Sequence, residues 1–140
     1  MLFFSGQRQN RRKGFRDMFL NCSNHPSAFW GAAQFEAASA YGDVVDLPFP
    51  QVDPLLDSDQ LQPLVREYAC RIEEMKPDAV MAAGEFTFLF MLVNRLLRDG
   101  IKVVCACTKR DTVEKLLPDG SSEKKSIFVF ERFRDYQLPD

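Results

Sequence analysis

A Rossmann-like α/β fold, with a mostly parallel central sheet, flanking helices and a C-terminal β-hairpin or antiparallel strands, is the architecture this sequence predicts. Three observations carry the prediction. Short apolar runs alternate with helical patterns from residue 18 to residue 108, which is the rhythm of strand-helix-strand crossovers. The fourth run, "IKVVCACT", is almost continuously apolar, as a parallel strand covered on both faces requires. Beyond Thr108 the rhythm changes to "TVEKLL", a turn-forming "PDGSSEKK" and "SIFVFERF", the pattern of antiparallel pairing.

Each element follows in order. "MFLNCS", Met18 to Ser23, reads as the first strand and is stopped by "NHPS". Trp30 to Tyr41 is Ala-rich with no internal proline, so a helix is expected there, ended by Gly42. "DVVDL" is the second strand, and Pro48, Pro50 and Pro54 exclude regular structure immediately after it. Asp57 or Asp59 caps the next helix, in which Leu61, Leu64, Val65, Tyr68, Ile72 and Met75 recur at three and four residues before Lys76 and Pro77 close it. "DAVMAA" is the third strand, ended by Gly84 and Glu85, and Phe86 to Arg98 the third helix, ended by Asp99 and Gly100. In the last apolar run Ile127, Val129, Glu131 and Phe133 alternate with Phe128, Phe130, Arg132 and Arg134, so one face is expected to be covered and the other to carry basic groups to a rim.

Composition bounds the function classes. One domain is the expectation for 140 residues, 46% of them hydrophobic and 13 of them Phe, in two parts: a basic extension over residues 1–17 and a single domain over residues 18–140. Arg8, Arg11, Arg12, Lys13 and Arg16 make the extension basic, yet the formal charge of the chain is −2, which argues against a surface that tracks a nucleic-acid duplex or an anionic membrane. The leading "MLFF" is too short for a signal-peptide core, and the longest apolar stretch, Phe86 to Val93, cannot span a bilayer, so a cytoplasmic location is expected. The four cysteines, Cys22, Cys70, Cys105 and Cys107, contain no CxxC pair and read as small buried hydrophobes. With His25 the only histidine, no metal site and no cofactor are expected.

Open parallel sheets place ligands beyond their strand C-termini. Here those positions hold "NHPS", "DLPFP", "GEFT" and "TKR". Asn24, His25 and Ser27 occupy the first loop, and an imidazole can exchange a proton near neutral pH. Trp30 offers a stacking surface, and Asp46 a turn acceptor. Gly84 permits close backbone approach at a helix start, where Thr87 adds a hydroxyl and Glu85 either accepts a proton or a ribose hydroxyl bond or simply stabilises the helix dipole. Thr108, Lys109 and Arg110 can surround a phosphate with one hydroxyl and two cations. The absence of GxGxxG, GxxxxGK[ST] and GxSxG removes sequence support for a dinucleotide cofactor, a P-loop and a serine-hydrolase elbow.

The segments "LNCSNHPSAFW", "GDVVDLPFPQVDP", "MAAGEFTFLFMLVNRL", "GIKVVCACTKR" and "FVFERFRDY" resemble a group of small CRISPR-associated proteins built as stand-alone Rossmann-like domains, some of them ring-nuclease-like. The resemblance covers Phe19 to Tyr136 and departs from the group at "CTKR", where the usual text is nearer "TTER". It implies a cyclic oligoadenylate ligand from antiviral signalling, held by Asn24–Ser27, Gly84–Thr87 and Thr108–Arg110. The implied reaction is metal-independent cleavage of a phosphodiester by the neighbouring ribose 2′-hydroxyl, with Lys109 and Arg110 stabilising charge and His25 or Glu85 moving a proton. The alternatives are a non-catalytic cyclic-nucleotide sensor and a nucleoside-processing enzyme with Glu85 as nucleophile.

The third helix suggests assembly. Phe86, Phe90, Val93 and Leu97 are expected to form its inward stripe, widened by Leu89, Leu92 and Leu96, which leaves Phe88 and Met91 in excess of one sheet contact. A homodimer would bury that excess and present paired phosphate contacts to a symmetric ring.

Overall fold

A computed structural model describes residues 17–140. The expected extension lies outside the described residues except for Asp17, whose carbonyl accepts from the Asp43 amide at 2.9 Å. Strands β1 (Met18–Ser23), β2 (Asp43–Asp46) and β3 (Ala79–Ala83) are joined by helices α1 (Ala32–Ser39) and α2 (Ser58–Met75). Helix α3 (Phe86–Arg98) leads into β4 (Val103–Leu116), which turns back into β5 (Ser122–Asp135). The sheet order is β2-β1-β3-β4-β5, parallel throughout except for the antiparallel β4-β5 pair. This is the expected α/β Rossmann-like arrangement with a C-terminal hairpin. Among the described residues no helix is long and apolar enough to cross a membrane.

The two sheet faces bury different layers because side chains alternate along each strand. Leu20, Cys22, Val80, Ala82 and Val103 pack against α2 and α3 through Val65, Tyr68, Ile72, Phe88, Leu92 and Leu96. Phe19, Met81 and Val104 face α1 through Ala38, joined by Trp30, Tyr41 and Phe133. Helix α2 starts after the segment of Pro48, Pro50 and Pro54 and carries one further proline, Pro63, inside it: Asp57 is its N-cap, and its backbone N–H donates to Gln60 Oε1 at 2.8 Å, the return half of a capping box. It ends at Lys76, whose φ of 52° lies in the left-handed region, immediately before Pro77.

Four local expectations need correction. The first helix is shorter than Trp30 to Tyr41, because Ser27–Phe29 forms a separate 3-10 turn and Gly31 the N-cap. On α3 the inward residues are Phe88, Leu92, Val93 and Leu96, while Phe86 and Phe90 face solvent; one residue of rotation, 100°, separates the two readings of a helix start that is apolar all round. The cysteines divide: Cys22 is buried and its thiol pushed up to about 12 by desolvation, Cys70 is exposed, and Cys105 and Cys107 are half-buried.

The fourth correction matters most for the site. "TKR" is not a loop but the middle of β4, which pairs with β3 only at Val103 and Val104 and then continues with β5 as a two-stranded arm. Between Cys107 and Thr108 the register shifts, leaving Glu131 opposite no β4 residue. The extra residue inverts the alternation of β5, so that Phe130 and Phe133 lie on one face with ring centroids 4.9 Å apart.

Candidate functional site

Strand order decides where the site lies. The chain moves from β1 to β2 on one side and then crosses to β3 on the other, so the crevice beyond Ser23 and Ala83 is the topological switch point of the sheet. A cleft of about 580 Å³ opens there. Its floor is Ser23 with Met81–Ala83, one wall is Asn24, His25 and Phe29 with the first turn of α1, and the facing wall is Cys105, Ala106 and Thr108 with Phe128, Val129 and Phe130. The hairpin arm thus supplies one wall of the cleft.

A buried polar network holds the His25 side of the cleft. Asn21 sits in β1 on the α1 face and is almost fully buried. Its Nδ2 donates to the His25 carbonyl and to Asp46 Oδ1, both at 3.0 Å, and its Oδ1 accepts from the Ser23 hydroxyl at 2.6 Å. The Ser23 oxygen in turn accepts from the His25 amide at 3.1 Å, and Trp30 Nε1 donates to the His25 carbonyl at 3.1 Å. Asp46 Oδ2 accepts from the Ser27 amide at 3.2 Å. A buried carboxamide with every hydrogen-bonding group satisfied fixes one loop conformation, because any other would leave groups unpaired at low dielectric. The backbone of His25 is therefore held while its imidazole stays exposed on the cleft wall.

The predicted site residues do not all meet. Asn24, His25 and Thr108 line the cleft together. Arg110 stands at its margin: its guanidinium lies over the Phe128 ring, 5.6 Å from the centroid, and Phe128 lines the wall. Cross-strand pairing puts Thr108 with Phe130 and Arg110 with Phe128 on one face of the arm, but Lys109 pairs with Val129 on the other. Lys109 and Arg110 therefore do not converge. Ser27 and Trp30 act from behind the loop, the first through its amide and the second through its indole N–H, while the Trp30 ring packs edge-on to Phe19 at 6.2 Å.

Gly84, Glu85 and Thr87 do other work. A Cβ on Gly84 would stand 2.4 Å from the Phe49 ring, so the glycine accommodates core packing on the α2/α3 face. Glu85 is the N-cap of α3: its carboxylate accepts from the Phe88 amide at 2.8 Å, and from the Thr87 amide and hydroxyl at 3.1 and 2.7 Å. Those bonds, that from Phe88 foremost, lower its pKa from the ordinary carboxylate value. Of the two readings of Glu85, the geometry matches helix-start stabilisation; the Thr87 and Phe88 amides, two of those expected to meet a phosphate, already meet this carboxylate.

Several cleft residues escaped the sequence reading. Phe29, Phe128 and Phe130 give it aromatic surface, and Tyr136 adds a phenol whose pKa is raised by burial and by the nearby Cys105 thiol. Asn21 was legible in principle as a lone carboxamide inside an apolar strand. Among the described residues no three His, Cys, Asp or Glu side chains gather closely enough to hold a metal ion. No curated protein and no solved structure matches the chain. The family model of the uncharacterized protein MJ1673 family matches residues 17–134, and the chain belongs to that family.

Proposed function

We propose that the cleft binds a cyclic oligoadenylate and opens it by attack of a ribose 2′-hydroxyl on the adjacent phosphorus. The observation that carries this reading is the composition of the cleft at the switch point: an exposed imidazole, the Thr108 hydroxyl, three phenylalanine rings for base stacking, and Arg110 at the margin. Ligand pockets span about 300–1,000 Å³, so a cleft of about 580 Å³ takes part of the ring and leaves the rest in solvent. In the reaction the 2′ oxygen forms a bond to phosphorus and the bond to the 5′ oxygen breaks, leaving a 2′,3′-cyclic phosphate and a 5′-hydroxyl. His25 takes the 2′ proton, water or the imidazolium returns one to the leaving oxygen, and Arg110 stabilises the charge on phosphorus. The functional unit in this reading is a homodimer, supported by the solvent-facing Phe86 and Phe90.

The test is incubation of the purified protein with cyclic oligoadenylate in the presence of a chelator. Linear products ending in a cyclic phosphate are expected, with His25→Ala slower but still binding. Absence of binding overturns the reading. Binding with no turnover supports the sensor alternative, which the separation of Lys109 from Arg110 and the engagement of Glu85 at its own helix start favour.

A further inference from the structure

The outer surface of the α2/α3 layer carries a feature that the cleft does not use. On α3, Phe86, Phe90, Asn94 and Arg98 recur every four residues and form one stripe, with Phe86 85% and Phe90 70% exposed. The stripe borders a groove of about 380 Å³, walled on the α2 side by Gln62 and Arg66. Arg95 is tied to Asp99 at 2.9 Å, whereas Arg66 and Arg98 pair with no acid among the described residues. One end of the surface is thus aromatic and the other cationic.

The same layer holds the complement. The segment leading into α2 exposes Leu55, at 88%, and Leu56 between the acids Asp53, Asp57 and Asp59. It ends at the N-cap of the helix whose Gln62 and Arg66 wall the groove. A two-fold interface must be self-complementary, each contact occurring twice with the roles exchanged. An apolar-acidic knuckle beside an apolar-basic groove meets that condition.

We infer that the α2/α3 surface is an isologous interface, in which Leu55 of one copy seats against Phe86 and Phe90 of the other and Asp53 and Asp59 face Arg66 and Arg98. This rests on the homodimer reading above and assigns it a surface. The two leucines and two phenylalanines expose roughly 500 Å² of apolar area, the core of a standard interface of about 800 Å² per partner, and the arginines and amides supply its polar rim. Because the cleft lies on the α1 side of the sheet, such a dimer leaves both clefts open and separate. Each chain then binds its own ligand, in place of one ring shared across the axis.

Light scattering at micromolar concentration tests the surface. The wild-type chain should show twice 16.1 kDa, and Leu55→Asp and Phe90→Glu should each show 16.1 kDa with an unchanged circular dichroism spectrum. Arg66→Glu with Arg98→Glu, and separately Asp53→Lys with Asp59→Lys, should each be monomeric, and an equimolar mixture of the two should recover the dimer mass because both contact sets are then complementary. A wild-type monomer overturns the dimer and this surface together. A dimer that survives Leu55→Asp and Phe90→Glu overturns the surface alone, and neither result depends on whether the cleft binds its ligand.

Discussion

Asn21→Ala removes the carboxamide that ties β1 to the His25 loop, and its cost can be worked from three hydrogen bonds. Two join neutral partners, the His25 carbonyl and the Ser23 hydroxyl, and one reaches the Asp46 carboxylate. A neutral bond contributes about 1 kcal/mol net and one to a charged group about 1.5–3 kcal/mol, but the exposed Asp46 recovers water when its donor is lost. The net loss is therefore about 3 kcal/mol. An unfolding entropy near 2.1 cal/mol/K per residue gives about 0.3 kcal/mol/K for this chain, so the melting temperature should fall by about 10 °C. Calorimetry measures that fall, and amide hydrogen exchange should show faster exchange at His25 than in the wild type. Asn21→Asp should cost at least as much near neutral pH, since it deletes the donor and places a second carboxylate against Asp46. A melting temperature within about 3 °C of wild type for Asn21→Ala would mean a loss below about 1 kcal/mol and would refute the claim that this residue holds the loop.

Three further outcomes follow from particular contacts. Gly84→Ala drives a methyl into the Phe49 ring, which itself packs edge-on to Phe88 at 5.2 Å; overpacking of this kind costs about 2 kcal/mol, and thermal melts should show the cost largely relieved when Phe49→Leu is made in the same chain. Glu85→Gln should lower stability at neutral pH without altering ligand affinity: the folded-state pKa is depressed, so the wild-type advantage is complete above the ordinary carboxylate pKa and vanishes as pH falls through the folded value, a trend that melts from neutral to acidic pH would record. Arg110→Ala should weaken cyclic oligoadenylate binding by about tenfold or more, while Lys109→Ala on the opposite face of the arm leaves it within about twofold, both read by calorimetric titration.

What the sequence determined by itself is the part of the molecule governed by local periodicity and punctuation. Strands β1 to β3, the proline-stiffened segment after β2, and helices α2 and α3 were legible because apolar runs, caps and breakers act over a few residues. The same logic placed Asn24 and His25 beyond a strand end, where the switch point turns a strand-end loop into a cleft wall. Other features depended on residues far apart in the chain. "TKR" reads as the end of a strand and the start of a loop because Lys109 and Arg110 are long charged groups following an apolar run, yet pairing with Phe130, Val129 and Phe128 makes all three strand, and which β5 side chain each one meets comes from the register shift at Glu131. Glu85 suits either an acid-base group or a helix-start carboxylate by its sequence; the Thr87 and Phe88 donors it satisfies match the second. Gly84 is chemically suited to a phosphate loop, but a ring 35 residues earlier in the chain, Phe49, occupies the space its missing side chain leaves. Tertiary structure decided the strand and the glycine because cross-strand registry and the packing across a sheet face are set by whichever long-range neighbours arrive, and no short window of sequence contains them, whereas the Glu85 cap is a contact within four residues whose choice between two local roles needed the bonds themselves.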